Sequence, residues 1–539
     1  MNTTLLNSNS LIINALKAIK EKNYQEAKNI LEKTVLLYPN SFEANHNLAI
    51  LNFQLGNIDK SIEYFNKSKN LKPKFSQVYF NLALAYDKKN MVDHAIKNFK
   101  KAIKIEPNNS LALHQIGLMY KKKNNFKSSE EYFKKSLNLN PVFEENYNQL
   151  FSIYESLNQN DKFTKLLDEA KKILNEQDLL DFYSAILQYK KKNYEIVIDI
   201  LNKIELDEKY YHQNLVKHTF LAKSYDQIKK YDSAFHHYKQ NNELTNKYYG
   251  KNINEKNFIS YVNQRVEFFN NFNLEKWAQY PGKYKSTDPI FLIGFPRSGT
   301  TLLDTILRTN SSVEVIEEKP ILRNFLIILE KKTNNDFRNL NKLNQNYINE
   351  MQNVYFSERE KYLQNRNAKV VIDKMPLNII HIAEILRFFP NAKFIFALRN
   401  PYDCVLSCFM QQFQLNPAMK NFLSLESSAY LYNLVMKLWK IYSKIFKINC
   451  HFIKYEETVL NFEKTTKDLF EFLDLNWSNE VNNFFITARK REFINTPSYD
   501  QVTSPLYSKS LNRWKNYEKY FDSIRNTLDF WVNEFDYKN

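Results

Sequence analysis

The chain runs to 539 residues, more than one ordinary hydrophobic core can organise, so at least two domains are expected. With 43% hydrophobic and 15% aromatic residues it has ample material to bury, which excludes an intrinsically disordered chain; Lys plus Arg exceed Asp plus Glu, 76 against 59, which favours anionic ligands. Three cysteines at no zinc spacing suit a reducing compartment, and no apolar run reaches the ~18 residues of a membrane span, so a soluble, cytoplasmic protein is expected.

The N-terminus, MNTTLLNSNSLIINALKAIKEKNYQEA, lacks a basic leader and turns directly into an amphipathic helix. From there Pro39, Pro73, Pro107 and Pro141 recur every 34 residues. Other columns keep the phase: Ala27, Ser61, Ala95 and Ser129; Leu31, Phe65, Phe99 and Phe133; Asn47, Asn81, Gln115 and Gln149. These are the columns of the tetratricopeptide repeat (TPR), with small residues where two helices cross, large ones in the core between repeats, and a proline after each second helix. Over 178–249 the period loosens, but KKNYEIVIDIL and KKYDSAFHHYKQNNEL keep the tyrosine, small, aromatic order, so two or more degenerate repeats are expected there. Residues 1–250 thus read as an all-α solenoid whose concave face binds a protein or peptide; the alternative is a spacer that stabilises the chain or joins it into a homodimer. Residues 251–287, with Pro281, Gly282 and a polar stretch, read as the boundary segment.

Residues 288–539 change character. PIFLIGFPRSGTTLLDTIL (289–307) is a β-branched and aromatic run, then a turn of glycines and hydroxyls, then a helix start. Gly294 and Gly299 let backbone approach an anion, Ser298, Thr300 and Thr301 add donors, and Arg297 offers a planar fork to a terminal oxyanion group. The spacing Gly294-x-x-x-x-Gly299-Thr300-Thr301 mimics a nucleotide phosphate loop, but Thr300 stands where that motif needs lysine, so ATP chemistry with magnesium is not expected. Apolar runs at 313–316, 369–372, 393–398 and 450–454 read as further strands separated by helices, the pattern of a central parallel sheet. Polar groups fall at the strand ends: Glu317 and Glu318, Lys374, Arg399, Tyr455. In an extended segment Glu317 and Glu318 point to opposite faces.

At these residues the chain resembles the sulfotransferases, and GFPRSGTTLLDTIL looks most like the protein-tyrosine sulfotransferase branch and its TPR-bearing bacterial relatives. The resemblance implies a TPR α-solenoid followed by an α/β P-loop-like domain with a central parallel sheet (the sulfotransferase fold). It implies 3′-phosphoadenosine 5′-phosphosulfate (PAPS) as sulfuryl donor and no metal. Arg297, Ser298, Gly299, Thr300 and Thr301 would hold the phosphosulfate, Arg399 and Ser407 the 3′-phosphate, and Tyr455 would lie near the adenosine. Ser498, Gln501 and Arg513 match the family's C-terminal loop that covers the cofactor. Glu318, 21 residues after Arg297, matches the carboxylate base, with Glu317 next door as the alternative, and Lys374 and Arg297 as catalytic cations. No histidine lies between Arg297 and Lys374, where the small-molecule branch has its histidine base. The family's arginine two positions after the base is Pro320 here, a departure that bears on acceptor recognition. His381 and Trp514 read as packing residues. The expected reaction is sulfuryl transfer to an acceptor hydroxyl, a tyrosine of a protein or peptide. A saccharide, lipid or small alcohol is the alternative acceptor, and a TPR scaffold with an inactive nucleotide-binding domain the alternative class. No nucleic-acid or membrane partner is expected.

Overall fold

In the computed structural model, which describes residues 2–272, 288–334, 336–490, 503–506 and 509–537, the chain divides into two units, 1–191 and 192–539. The first is a series of helical hairpins: α1 (Asn2–Lys20), α2 (Tyr24–Leu37), α3 (Phe42–Gln54), α4 (Ile58–Leu71), α5 (Ser76–Lys88), α6 (Val92–Ile105), α7 (Ser110–Lys122), α8 (Phe126–Leu139), α9 (Glu144–Ser156), α10 (Asn160–Ile173) and α11 (Gln177–Lys190). Helices α2, α4, α6 and α8 each end two residues before a repeat proline. The residue between, Tyr38, Lys72, Glu106 or Asn140, has φ from −128° to −137° and positive ψ, because the proline ring excludes the helical region there. Ala27, Ser61, Ala95 and Ser129 are fully buried where helices cross. At another crossing, a Cβ on Gly117 would stand 2.6 Å from the Phe133 ring. Left-handed backbone recurs at Lys22, Gly56, Asn90, Asn124, Asn158 and Lys192, again 34 apart, so the backbone holds the period beyond the point where the side-chain columns fade.

The second unit opens with α12 (Tyr194–Lys203), α13 (Tyr211–Gln227), α14 (Tyr231–Tyr249) and α15 (Glu255–Asn270). Although the repeat pattern extends the solenoid to 250, Ala222 of α13 and Ala234 and Tyr238 of α14 share one apolar core with α15 and the sheet. A buried Arg265–Glu384 ion pair fixes α15 against the same core.

The sheet is wholly parallel, in the order β2-β3-β1-β4-β5: β1 (Ile290–Gly294), β2 (Val313–Glu317), β3 (Val370–Lys374), β4 (Lys393–Leu398) and β5 (Asn449–Lys454). Its connections are α16 (Thr300–Leu307), α17 (Ile321–Lys332), α18 (Gln345–Glu360), α19 (Ile382–Phe388), α20 (Pro401–Phe409) and α21 (Leu425–Ile445). Phe291, Ile293, Ile316, Phe394 and Phe396 face one core, and Leu292, Val313, Val315, Ile372, Ile395 and Ile453 the other. Burial on both faces is why these strands read as continuous apolar runs. Alternation then puts Lys374 on the Ile372 face and Asp373 on the opposite one, where it accepts from the Tyr355 hydroxyl at 3.2 Å.

Candidate active site

Parallel register brings the polar strand ends to one edge. Glu317 pairs with Lys374, Leu292 with Lys374, Gly294 with Ala397, and Leu398 with Lys454. The loop after β1, the Glu317-Glu318 step, Lys374 and Arg399 therefore share the carboxyl edge, where open α/β sheets take their ligands.

The β1–α16 loop is tightly determined. Arg297 has φ of 70° and Gly299 of 101°. A Cβ on Gly299 would meet the Tyr455 ring at 2.9 Å, and one on Gly294 the Ala397 carbonyl at 2.6 Å, so both positions need glycine for space. Among the described residues no side chain caps the start of α16, whose first-turn N–H groups point the way an anion would need them. Ser298 Oγ is buried with no hydrogen-bond partner among the described residues, as a group reserved for a ligand would be. The loop is gripped from α20: the thiols of Cys404 and Cys408 both donate to the Pro296 carbonyl at 3.2 Å. Burial and the neighbouring Cys404 push the Cys408 thiol well above its ordinary range, so it stays a donor.

Two arginines meet behind this loop. Arg297 Nε donates to Ser407 Oγ at 3.0 Å. Arg399 Nη1 donates to the Arg297 carbonyl at 3.2 Å and Nη2 to the Ser510 carbonyl at 2.8 Å, while its guanidinium lies 4.9 Å over the Tyr455 ring. Arg399 Nε is buried without a partner among the described residues. Arg297, Ser407, Arg399, Tyr455 and Gly299 are thus brought together. Their two guanidiniums, a hydroxyl, an aromatic face and a helix start fit an aromatic ligand bearing phosphate or sulfate groups. Around them, Glu456 accepts from the Asn400 N–H at 2.9 Å and Asp403 from the Trp514 N–H at 2.9 Å. Trp514 is buried and stacks on Tyr402, with centroids 4.3 Å apart, the packing role expected for it. Arg513 turns to Asp226 of α13, Nη2 to Oδ1 3.1 Å, instead of joining the arginine pair. Ser498 and Gln501 lie outside the described residues.

At the other end of the edge, Lys374 is fully buried and its Nζ lies 3.2 Å from Glu317 Oε1 and 3.0 Å from Glu318 Oε1. Alternation predicts that the two glutamates diverge. They converge instead, because the strand ends at Glu317 and Glu318 adopts a left-handed backbone, φ 49°, while its N–H still bonds the Lys374 carbonyl at 2.8 Å. Burial alone would lower the Lys374 ammonium, but Glu317, Glu318 and Asp304 outweigh it and hold the group above its usual range, so it is charged. The Glu318 side chain is 32% exposed against 7% for Glu317. Glu318 is therefore the more accessible carboxylate of the two, and Glu317 the buried counter-ion of Lys374. His381 packs 3.6 Å from Glu384 and takes no part in this edge.

Sequence reasoning missed the Glu317 contact and the supporting roles of Cys404, Cys408, Asp403 and Glu456. The four-residue spacing of the two cysteines, which puts both on one helix face, was the available signal.

Residues 289–479 match the sulfotransferase family, and residues 18–84, 76–109 and 111–143 match tetratricopeptide repeats. An uncharacterized protein of Aquifex aeolicus is 26% identical over 371 residues, 66% of this chain and 47% of that protein. The protein-tyrosine sulfotransferase of Drosophila melanogaster is 24% identical over 246 residues, 42% of this chain and 46% of that protein. Protein-tyrosine sulfotransferase A of Caenorhabditis elegans is 26% identical over 243 residues, 43% and 62% of the respective chains. The chain spans about half the length of the first two relatives. No helix among the described residues is long and apolar enough to cross a membrane.

Proposed function

We propose that this chain, which joins a sulfotransferase-family domain to tetratricopeptide repeats, transfers a sulfuryl group from PAPS to an acceptor hydroxyl, that of tyrosine in a protein or peptide. The observation that carries the reading is the pairing, on one sheet edge, of a carboxylate–lysine–carboxylate group with an arginine-rich phosphate loop. Bound PAPS would supply the sulfuryl group and a stable phosphate leaving group. Ser298 to Thr301 and Arg297 are suited to its phosphosulfate, Arg399 and Ser407 to its 3′-phosphate, and Tyr455 to its adenosine. The Glu318 carboxylate takes the proton of the acceptor hydroxyl. Lys374, kept charged and already desolvated, offers its ammonium to the departing oxygen without reorganising. The repeats of the first unit bind the protein that carries the tyrosine, or a partner that delivers it.

Calorimetric titration with adenosine 3′,5′-bisphosphate, against ATP plus magnesium, tests the donor site. Tight binding that Arg399→Ala weakens about tenfold or more, the size of a lost charge-assisted contact, supports the reading. Binding of ATP alone sinks it.

A further inference from the structure

Helices α13 and α14 touch two pieces of chain that carry or adjoin residues contacting Arg297 and Arg399. One is the segment 513–520, RWKNYEKY, which has three basic residues and one acidic. Asp226, at the end of α13, pairs with Arg513 at 3.1 Å and accepts a short hydrogen bond from the Tyr517 hydroxyl. Asp232, in the first turn of α14, accepts from the Tyr520 hydroxyl at 2.9 Å and pairs with Lys519 at 2.6 Å. Tyr520 stacks on Phe235 of α14 with ring centroids 3.6 Å apart, and Tyr231 meets Tyr517 edge-on at 5.4 Å. The other piece is the end of α20. Asn242 donates to the Phe409 carbonyl at 3.0 Å, and Phe235 stacks on the Phe409 ring at 5.1 Å.

Both pieces lead straight to the site. Helix α20 carries Ser407, the partner of Arg297. The segment 513–520 follows Ser510, whose carbonyl receives Arg399, and contains Trp514, held by Asp403 of α20. The two pieces are thus bound to each other and, separately, to α13–α14. A repeat helix needs only an apolar stripe toward its neighbours. Two aspartates that between them take four polar contacts from one cationic segment exceed that need.

We infer that α13–α14 is the seat of the C-terminal strap of the nucleotide site, and that Asp226 and Asp232 are positioning residues that hold 510–520 where it fixes Arg399. This rests on the proposed reading of Arg399 and Ser407 as nucleotide ligands. Helices with the sequence of a degenerate repeat thereby become part of the support of the transfer site.

The test uses the full chain with Asp226→Asn and, as a variant whose exposed position spares the fold, Asp232→Asn. Hydrogen exchange over 509–520 is read alongside calorimetric binding of adenosine 3′,5′-bisphosphate and the KM values for PAPS and for a tyrosine peptide. The inference expects faster exchange in the segment, nucleotide binding weakened about tenfold by Asp226→Asn and less by Asp232→Asn, and a raised KM for PAPS with the peptide KM unchanged. A merely structural contact would not split the two KM values. Unchanged exchange, or faster exchange with unchanged nucleotide affinity, overturns it. Should wild type bind no nucleotide, the proposed function itself falls. Equal nucleotide binding by wild type and both variants overturns the positioning role alone.

Discussion

Replacing Lys374 by Met removes the charge between Glu317 and Glu318 while keeping a side chain of similar length. The two carboxylate oxygens lie 3.2 and 3.0 Å from Nζ. They are therefore no more than about 6 Å apart, and two unit charges at that distance repel by roughly 3 kcal/mol at an effective dielectric of about 20. Like charges this close oppose each other's ionisation, so with the ammonium gone the last proton of the pair is held more tightly than on a lone carboxyl. The folded value then lies above the unfolded one, so the native variant keeps a proton that the unfolded chain has released. Stability accordingly falls as pH rises through the carboxylate range toward neutrality and levels off above it. The assay is the thermal midpoint of Lys374→Met at pH steps from about 4.5 to about 8, beside the double variant Lys374→Met with Glu317→Gln, which has one carboxyl left. Slopes from all other groups cancel in the comparison. The single variant should lose stability relative to the double variant across that window. Parallel curves would refute the shared charge, and with it the electrostatic role of Lys374.

Gly299→Ala forces a left-handed residue to carry a Cβ 2.9 Å from the Tyr455 ring. It should cost about 1–3 kcal/mol in chemical denaturation and weaken adenosine 3′,5′-bisphosphate, and an unchanged midpoint would contradict the loop geometry. Asp373, pushed up to about 7 by burial and only partly relieved by Tyr355 and Arg359, keeps its proton in the folded chain after the unfolded chain has lost it. Wild-type stability should therefore decline as pH rises from about 4 to about 7, and Asp373→Asn should remove that part of the slope in urea titrations; an identical slope in both proteins refutes the burial argument.

How much of this was legible in the sequence depends on how local each constraint is. The repeat prolines and the Ala27, Ser61, Ala95 and Ser129 column act within one helix pair, so spacing alone located the hairpins. The left-handed turns continue to Lys192, but the change among lysine, glycine and asparagine at these positions makes the column weaker than that of the prolines. Arg297 to Thr301 stood out because strand, turn and helix are contiguous there. The Glu317-Glu318 step misled because period two holds only inside a strand, and nothing local marks Glu317 as its last residue. Arg513 found its partner in Asp226, on a helix far away in sequence, a contact no local pattern encodes. The grip of Cys404 and Cys408 on the Pro296 carbonyl is likewise a tertiary contact.

The most direct measurement is transfer of labelled sulfate from PAPS to a tyrosine-containing peptide by the full chain and by Glu318→Gln, with adenosine 3′,5′-bisphosphate binding measured on the same preparations. The account predicts transfer by the wild type, a loss of about 100-fold or more in the variant, as for removal of a general base, and nucleotide affinity nearly unchanged. Transfer by Glu318→Gln at the wild-type rate would contradict it.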